Sequence, residues 1–314
     1  MRIAFVDPRC PFAAGPTDLA ARPLGGTESS MILLAETLAG LGHAVTVAQV
    51  GWAARAAGAA EYVALPLTGR WDAIILRDDP AMAPDLSAQG PVWLWRHDFA
   101  KDDADALARL GPDVPIVGVS AHHAATLRRD VPGARVAFIH NPVQVFDPGP
   151  VAVDMQQLVF AASPHKHRWQ ALNLFADLAQ LLPYLRLVLA HPGYKPEAEV
   201  WGPNVTLAGA LPRPALHRLL KGSLALFHAT DFPETFGLLL AEANALGTPV
   251  IAPPVGAAPE IVGDPRQAAP LGDAVALAAR IRAWQQGGRP RPTADPRFSP
   301  ERVARDWLTL LESA

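Results

Sequence analysis

Two carboxylates, Glu234 and Glu242, stand eight positions apart in HATDFPETFGLLLAEANALGTPVIAPPVGAAPEIVGD, residues 228–264. Glu242 lies between Ala241 and Ala243 in a stretch otherwise poor in charge, and a carboxylate set among apolar residues needs a partner. Glu234 precedes that stretch, beside the amide groups that a helix start directs at an anion. Eight residues along one helix span roughly 12 Å, about the reach from a sugar at one end of a diphosphate to a ribose at the other. The plainer alternative is a capping glutamate and an ordinary surface glutamate. Lysine is scarce in this chain, and Lys166 falls in SPHKHR, residues 163–168, between an apolar run and an amphipathic segment. There it sits just before a predicted helix and would face a cleft if the sheet is parallel. His97 follows the apolar run VWLW with Arg96 and Asp98 on either side. An acid beside a histidine can fix its tautomer and suit it to a reacting group.

The elements that must position these groups follow from periodicity. Phe236, Leu239, Leu240, Ala243 and Leu246 recur at helical spacing, which predicts a helix from Phe236 to Leu246 capped by Thr235 and stopped by Gly247. Pro249 to Ala252 then reads as a short strand and Pro253 to Gly256 as a turn. Short apolar runs at Ile3–Val6, Val45–Val50, Asp72–Leu76, Val92–Leu94, Pro115–Val119 and Arg135–Ile139 alternate with helical segments, the pattern of a parallel sheet. Helices are expected at Glu28–Leu41, Ala121–Arg129, Trp169–Leu181 and Pro300–Glu312. A second series of strands runs through Leu158–Ala162, Leu185–Ala190, Val205–Leu207, Leu224–His228 and Val250–Ala252. The proline-rich stretch NPVQVFDPGPVAVD, residues 141–154, reads as a linker between the two series. Parallel sheets hold ligands at their carboxyl ends, where Asp78 and Asp79, His97 and its neighbours, and Ser120 with His122 and His123 fall. Ser120 reads as a helix N-cap. Asp103 and Asp105 read as a solvated helix face rather than a metal-binding D-x-D.

Composition bounds the rest. The chain is half apolar with a net charge of −3, enough for two cores and no basic surface for a nucleic acid. Cys10 is the sole cysteine, so no internal disulfide forms, and a reducing cytoplasm is expected. MRIAFVD carries too short an apolar run for a leader peptide, and no stretch approaches the length of a membrane span. Arg128 and Arg129 are too few to argue peripheral membrane contact. The histidines lack zinc-type spacing, so neither a metal nor a cofactor is expected.

The segment PETFGLLLAEANALGTPVIA, with the later Glu-Ile-Val-Gly-Asp, resembles the Glu-x7-Glu motif of retaining glycosyltransferases of the family 4 type, the glycosyl transferases group 1. GGTE…LAETLAGLGHAVTV resembles the first βα unit of these enzymes, and Asn141-Pro142 their interdomain crossover. The resemblance implies the α/β GT-B fold, two Rossmann-like domains with parallel sheets facing across a cleft. Residues 1–143 would form the acceptor side and 144–298 the nucleotide-sugar side, with a helix over 299–314 packing back on the first domain. It implies a retaining, metal-independent transfer from a nucleoside-diphosphate sugar to a hydroxyl acceptor in bacterial glycan, glycolipid or glycoconjugate synthesis. On the matching positions, His97, Lys166 and Glu234 would be catalytic. Gly25, Gly26, Arg168, Gly209, Leu211, Thr235, Phe236, Gly237 and Glu242 would line the donor site, Lys166 neutralising the diphosphate and Glu242 holding the ribose. Two departures stand out: an arginine of the family's lysine signature is missing upstream, and His167 replaces its glycine. A non-catalytic nucleotide-sugar binding module, or an epimerase or phosphorylase on the same fold, are the alternatives.

Overall fold

The computed structural model describes residues 1–10, 12–52, 58–191, 202–269 and 271–313. The chain divides into two compact units, one of residues 1–18, 26–144 and 296–314, the other of residues 19–25 and 145–295.

The first unit holds β1 (Arg2–Asp7), β2 (Ala44–Gln49), β3 (Glu61–Ala64), β4 (Ala73–Arg77), β5 (Val92–Trp95), β6 (Ile116–Gly118) and β7 (Val136–Phe138). They form one sheet in the order β3-β2-β1-β4-β5-β6-β7, with each pairing parallel. Strand β3 was not expected: EYVA is too short to stand out and opens on a glutamate, and it is recruited at the edge by β2. β1 and β4 are buried along nearly their whole length, as a sheet covered on both faces requires. The helix Pro300–Glu312 belongs to this unit, where Trp307 is fully buried with its ring 5.5 Å from that of Trp95. Within the first loop, Asp18–Ala21 forms a single helical turn, and Pro11 lies outside the described residues.

The second unit holds β8 (Asp154–Phe160), β9 (Arg186–His191), β10 (Val205–Ala210), β11 (Ser223–Phe227) and β12 (Val250–Ile251), again parallel, in the order β10-β9-β8-β11-β12. Its core gathers Leu158, Phe160, Phe175, Leu187, Leu224, Phe227 and Trp284, each worth roughly 1.5–3 kcal/mol when fully buried. Each sheet starts at its middle and runs outward in one direction and then the other. The reversal falls between β1 and β4 in the first unit and between β8 and β11 in the second. At such a switch point the connections leave toward opposite faces and open a crevice at the carboxyl ends of the two strands.

Candidate functional site

The switch point of the second sheet carries the charged residues. The chain leaves β8 through Ala162 and Ser163, and Lys166 donates its backbone N–H to the Ser163 carbonyl at 3.0 Å. His167 then adopts a left-handed conformation (φ 50°, ψ 40°), which explains why a glycine suits this position, and Arg168 opens the helix Arg168–Leu181. Arg168 is buried and not displayed on a solvated loop. On the other side, β11 ends at Phe227 and runs through His228 and Thr230 to Glu234. The two excursions meet in an ion pair: Lys166 Nζ lies 2.8 Å from Glu234 Oε1 and 2.7 Å from Oε2. His228 Nε2 stands 3.6 Å from Glu234 Oε1. Burial alone would raise the Glu234 pKa, but the charge of Lys166 and its hydrogen bonds outweigh it and hold the carboxyl below the ordinary glutamate value. Burial depresses His228 below the usual histidine value, so the ring is neutral near pH 7. Ser163 Oγ, both His228 ring nitrogens and Thr230 Oγ1 are buried without a hydrogen-bond partner. Four orphaned polar atoms on one pair of strand ends, beside a lysine, form a set that an oxyanion or hydroxyl-rich ligand would satisfy.

Glu234 is fixed from behind. The turn after β12 brings Gly256 so close that a Cβ there would lie 2.6 Å from Glu234 N and 2.7 Å from its carbonyl oxygen. Ala257 donates its N–H to that carbonyl at 2.9 Å.

The helix that follows differs from the expected one. It spans Leu238–Ala245, with Gly237 at its N-cap in the left-handed conformation (φ 86°). Thr235 therefore is not the cap, and Thr235 and Phe236 lie in the bend before the helix. Glu234 is off the helix, so the helical estimate of its distance from Glu242 does not apply. The glycine decides the boundary because it turns left-handed at little cost where Thr and Phe would not.

Glu242 is 2% exposed, the buried carboxylate that requires partners, and the structure supplies two. The Arg213 guanidinium pairs with Oε1, and His217 Nε2 lies 3.6 Å from Oε2. Both come from the helix Arg213–Lys221, which follows β10 and the loop residues Leu211 and Pro212. Gly209 takes a left-handed φ of 70° at a register irregularity in β10. Sequence reasoning missed Arg213, His217 and His228. The first two had a readable signal: with Leu220 they occupy positions i, i+4 and i+7 of an amphipathic helix, the face reserved for core. His228 had none, since a histidine ending an apolar strand looks the same whether or not an acid faces it.

In the first unit His97 is buried at the carboxyl end of β5. Its orienting acid is Asp78 from the end of β4, not the adjacent Asp98. The His97 N–H donates to Asp78 Oδ1 at 2.7 Å, and Nδ1 lies 3.4 Å from Oδ2. Burial would raise the Asp78 pKa, yet the His97 contacts and Arg96 hold it below the usual aspartate value. Asp98 serves through its carbonyl, which accepts from Arg96 Nε at 2.8 Å and lies 3.1 Å from His123 Nε2. His97 Nε2 has no hydrogen-bond partner. Ser120 is the expected N-cap, accepting from the His123 N–H at 3.0 Å. Asp103 departs from the solvated face expected of it: Arg96 donates to its carboxylate at 2.8 Å, and the helix starts only at Ala104. Gly26 begins the helix Gly26–Gly40, whose Glu28 is tied by Arg77 at 2.8 Å, with Asp7 on the other side of the same guanidinium at 2.8 Å. Gly25 belongs to the second unit. Among the described residues no group of three or more His, Cys, Asp or Glu is placed to hold a metal, and no helix is long and apolar enough to cross a membrane.

Two Rossmann-like parallel sheets with polar groups gathered at their switch points make this a GT-B protein. Sucrose-phosphate synthase from Thermosynechococcus elongatus has the same fold over 99% of this chain and 98% of its own, with a TM-score of 0.75 at 18% identity. HepE of Anabaena, crystallised with UDP and glucose, covers all of this chain and all of its own at a TM-score of 0.68 and 17% identity. Residues 159–292 match the family model of glycosyl transferases group 1, and this stretch of the chain belongs to that family. Its sequence is 30% identical over 241 residues to a D-inositol 3-phosphate glycosyltransferase of Mycolicibacterium paratuberculosis, covering 69% of this chain and 51% of the relative. A D-inositol 3-phosphate glycosyltransferase of Mycobacterium avium matches at the same identity over 53% of its length. The chain thus spans about half the length of the curated relatives it matches.

Proposed function

We infer that the protein is a retaining glycosyltransferase that moves a sugar from a nucleoside-diphosphate sugar to a hydroxyl acceptor, in bacterial glycan, glycolipid or glycoconjugate synthesis. The observation that carries this reading is the Lys166–Glu234 pair at the β8/β11 switch point, ringed by the unpartnered polar atoms of Ser163, His228 and Thr230. The costly event in such a transfer is the separation of an anionic diphosphate from an oxocarbenium-like sugar. Lys166 is the cation for the leaving phosphate, and the amides at Phe236 and Gly237, with those opening the helix at Leu238, offer donors where the charge develops. Arg168 adds positive charge from the adjoining helix start. Glu234 has the role of receiving sugar hydroxyls while holding Lys166 in place. Glu242 takes the ribose hydroxyls: Arg213 and His217 leave acceptor capacity on its two oxygens. Gly209 and Leu211 border the base through backbone groups. In the first unit, Gly26 is the backbone approach point at a helix start, and His97, with Nε2 unbonded and its ring held by Asp78, is assigned to the transferred sugar.

Retention follows from a same-face departure and attack, in which the leaving phosphate takes the acceptor's proton. A double displacement would need a carboxylate under the anomeric carbon, and Glu234 is engaged by Lys166. No metal enters this route, because Lys166, Arg168 and helix amides supply the positive potential.

The test is a calorimetric screen of UDP, GDP, ADP, CMP and dTDP and their sugars against the wild-type chain and Lys166→Ala. One nucleotide and its sugar should bind, and Lys166→Ala should weaken both, more for the diphosphate than for the nucleoside. A chain that binds none of them, or a Lys166→Ala variant with undiminished diphosphate affinity, overturns the reading.

A further inference from the structure

The helix Arg213–Lys221 presents Arg213, His217 and Leu220 to the interior on one face, all buried, and Lys221 toward the linker that begins the second unit. The stretch from Phe146 to Asp154 is tied to this helix and to Gly222, which caps its end. The Phe146 N–H donates to His217 Nδ1 at 2.9 Å, with the two rings 6.0 Å apart, and Lys221 Nζ pairs with Asp147. Asp154 N donates to the Gly222 carbonyl at 2.8 Å, and a Cβ on Gly222 would lie 3.1 Å from Val151.

The bond from Phe146 fixes the state of the imidazole. A backbone N–H can only donate, so Nδ1 is the unprotonated nitrogen and the proton of the neutral ring sits on Nε2. Burial and the neighbouring Arg213 push the His217 pKa down to about 4, which keeps the ring neutral at physiological pH. Nε2–H is fully buried, makes no hydrogen bond, and has Glu242 Oε2 3.6 Å away. A buried donor that stops just short of a bond is costly, and a small shift of the carboxylate would complete it. Glu242 meanwhile is pulled from its other oxygen by Arg213. The carboxylate is therefore suspended between a fixed cation and a donor whose tautomer the linker dictates.

We propose that His217 is a positioning residue for nucleoside recognition, relaying the linker at Phe146 to the carboxylate of Glu242 and setting the direction in which its free acceptor sites face a ribose diol. This rests on the assignment of Glu242 to the ribose given above. Arg213 alone can hold one oxygen but leaves the carboxylate free to swing about that contact. His217 supplies the second point that defines its plane. Chemistry at the sugar end does not pass through His217, so its loss acts on donor binding and leaves the committed chemical step unchanged.

Two isosteric variants separate the bond from Phe146 from the approach of Nε2 to Glu242. In His217→Gln the side-chain amide nitrogen reaches the position of Nε2 and keeps a donor for Glu242. In His217→Asn the amide oxygen occupies the position of Nδ1 and keeps the acceptor for Phe146 but leaves Glu242 without its donor. Binding is measured by calorimetry with the ribonucleoside diphosphate, among UDP, GDP and ADP, that the wild-type chain binds most tightly, and with its 2′,3′-dideoxy analogue. His217→Asn is expected to lose roughly tenfold in affinity for the ribonucleotide, the worth of one hydrogen bond to a charged group, and nothing for the dideoxy analogue. His217→Gln recovers most of the loss. In turnover, the effect of His217→Asn falls on the donor KM, with kcat unchanged. Equal losses for both ligands mean a general structural role and overturn the proposal, as does a ribonucleotide affinity unchanged in His217→Asn. A wild-type chain that binds no ribonucleoside diphosphate instead removes the donor-site reading itself.

Discussion

Gly256 gives the sharpest prediction because its neighbours are backbone atoms that cannot rotate away. It has a φ of 60°, and a Cβ would sit 2.6 Å and 2.7 Å from the nitrogen and oxygen of Glu234 and 3.0 Å from the Pro233 carbonyl carbon. Gly256→Ala thus faces two costs. A left-handed residue with a side chain costs roughly 1–2 kcal/mol, and forcing a methyl into packed backbone adds typically about 1–3 kcal/mol. Gly272→Ala is the matched control: φ is 90° and, among the described residues beyond its chain neighbours, no atom lies within 4 Å of the added carbon, so it carries the conformational cost alone. Urea unfolding followed by far-UV dichroism should place Gly256→Ala about 1–3 kcal/mol below Gly272→Ala, read from the midpoints at a common slope. Calorimetry should add a second difference. To make room, Gly256→Ala must push the Glu234 backbone away from the turn, which disturbs the carboxylate against Lys166 and weakens binding of the diphosphate. Gly272→Ala should bind as wild type. The reasoning fails if the two variants are equally stable, or if Gly256→Ala is the less stable but binds the nucleotide unchanged.

Three further expectations follow from the same geometry. Burial first of all pushes His123 and His217 down to about 4 from an ordinary value of 6.5, and it lowers His228 as well. The unfolded chain therefore takes up protons that the native state refuses, so stability holds above pH 6.5 and falls as pH drops toward 4. For His123 and His217 that span is worth about 3 kcal/mol each, and His123→Gln should flatten the unfolding free energy measured between pH 6.5 and 4. Glu234 behaves in the opposite sense: its folded pKa is below 4.5, so its contribution is complete above about pH 4.5 and disappears only as pH falls through the lowered value. Glu234→Gln should leave the stability profile above pH 5 parallel to wild type, measured by the same unfolding series. Asp78, left-handed at φ 53°, tolerates Asn there, so Asp78→Asn should fold normally while losing the charge that holds His97. Transfer activity in that variant should fall by at least tenfold with little change in nucleotide affinity, and equal activity would detach His97 from the reaction.

The sheets were legible because buried parallel strands are continuous apolar runs bounded by turn residues, as at Ile3–Val6 and Leu224–His228. β3 escaped, since EYVA gains its place from the partner it pairs with and not from its own pattern. Glu242 showed its need of a partner in the sequence, as a charge among alanines, but the partner's identity was a tertiary fact: Arg213 lies 29 positions earlier, on a helix of its own. The helix start was misjudged because Thr235 has the chemistry of a cap while Gly237 has the backbone freedom, and here the freedom decided. For His97 the neighbouring acid was sought next door at Asp98. Adjacent strands in a parallel sheet put Asp78 closer than sequence does, across the β4/β5 pairing. The ion pair of Lys166 with Glu234 joins residues 68 positions apart, which only the strand order β8-β11 brings together.

The central claim is that Lys166 and Glu234 at this switch point serve transfer from a nucleoside-diphosphate sugar. The most direct measurement supplies the donor that binds in calorimetry, with a panel of hydroxyl acceptors, and follows release of the nucleoside diphosphate together with the anomeric configuration of the product by NMR. Wild type should release one diphosphate per glycoside formed, with the donor's configuration kept, and Lys166→Ala and Glu234→Ala should each lose transfer by a factor of about a hundred or more, the order expected for removing one charge-stabilising group. Full transfer in either variant, or a product of inverted configuration, would contradict the account.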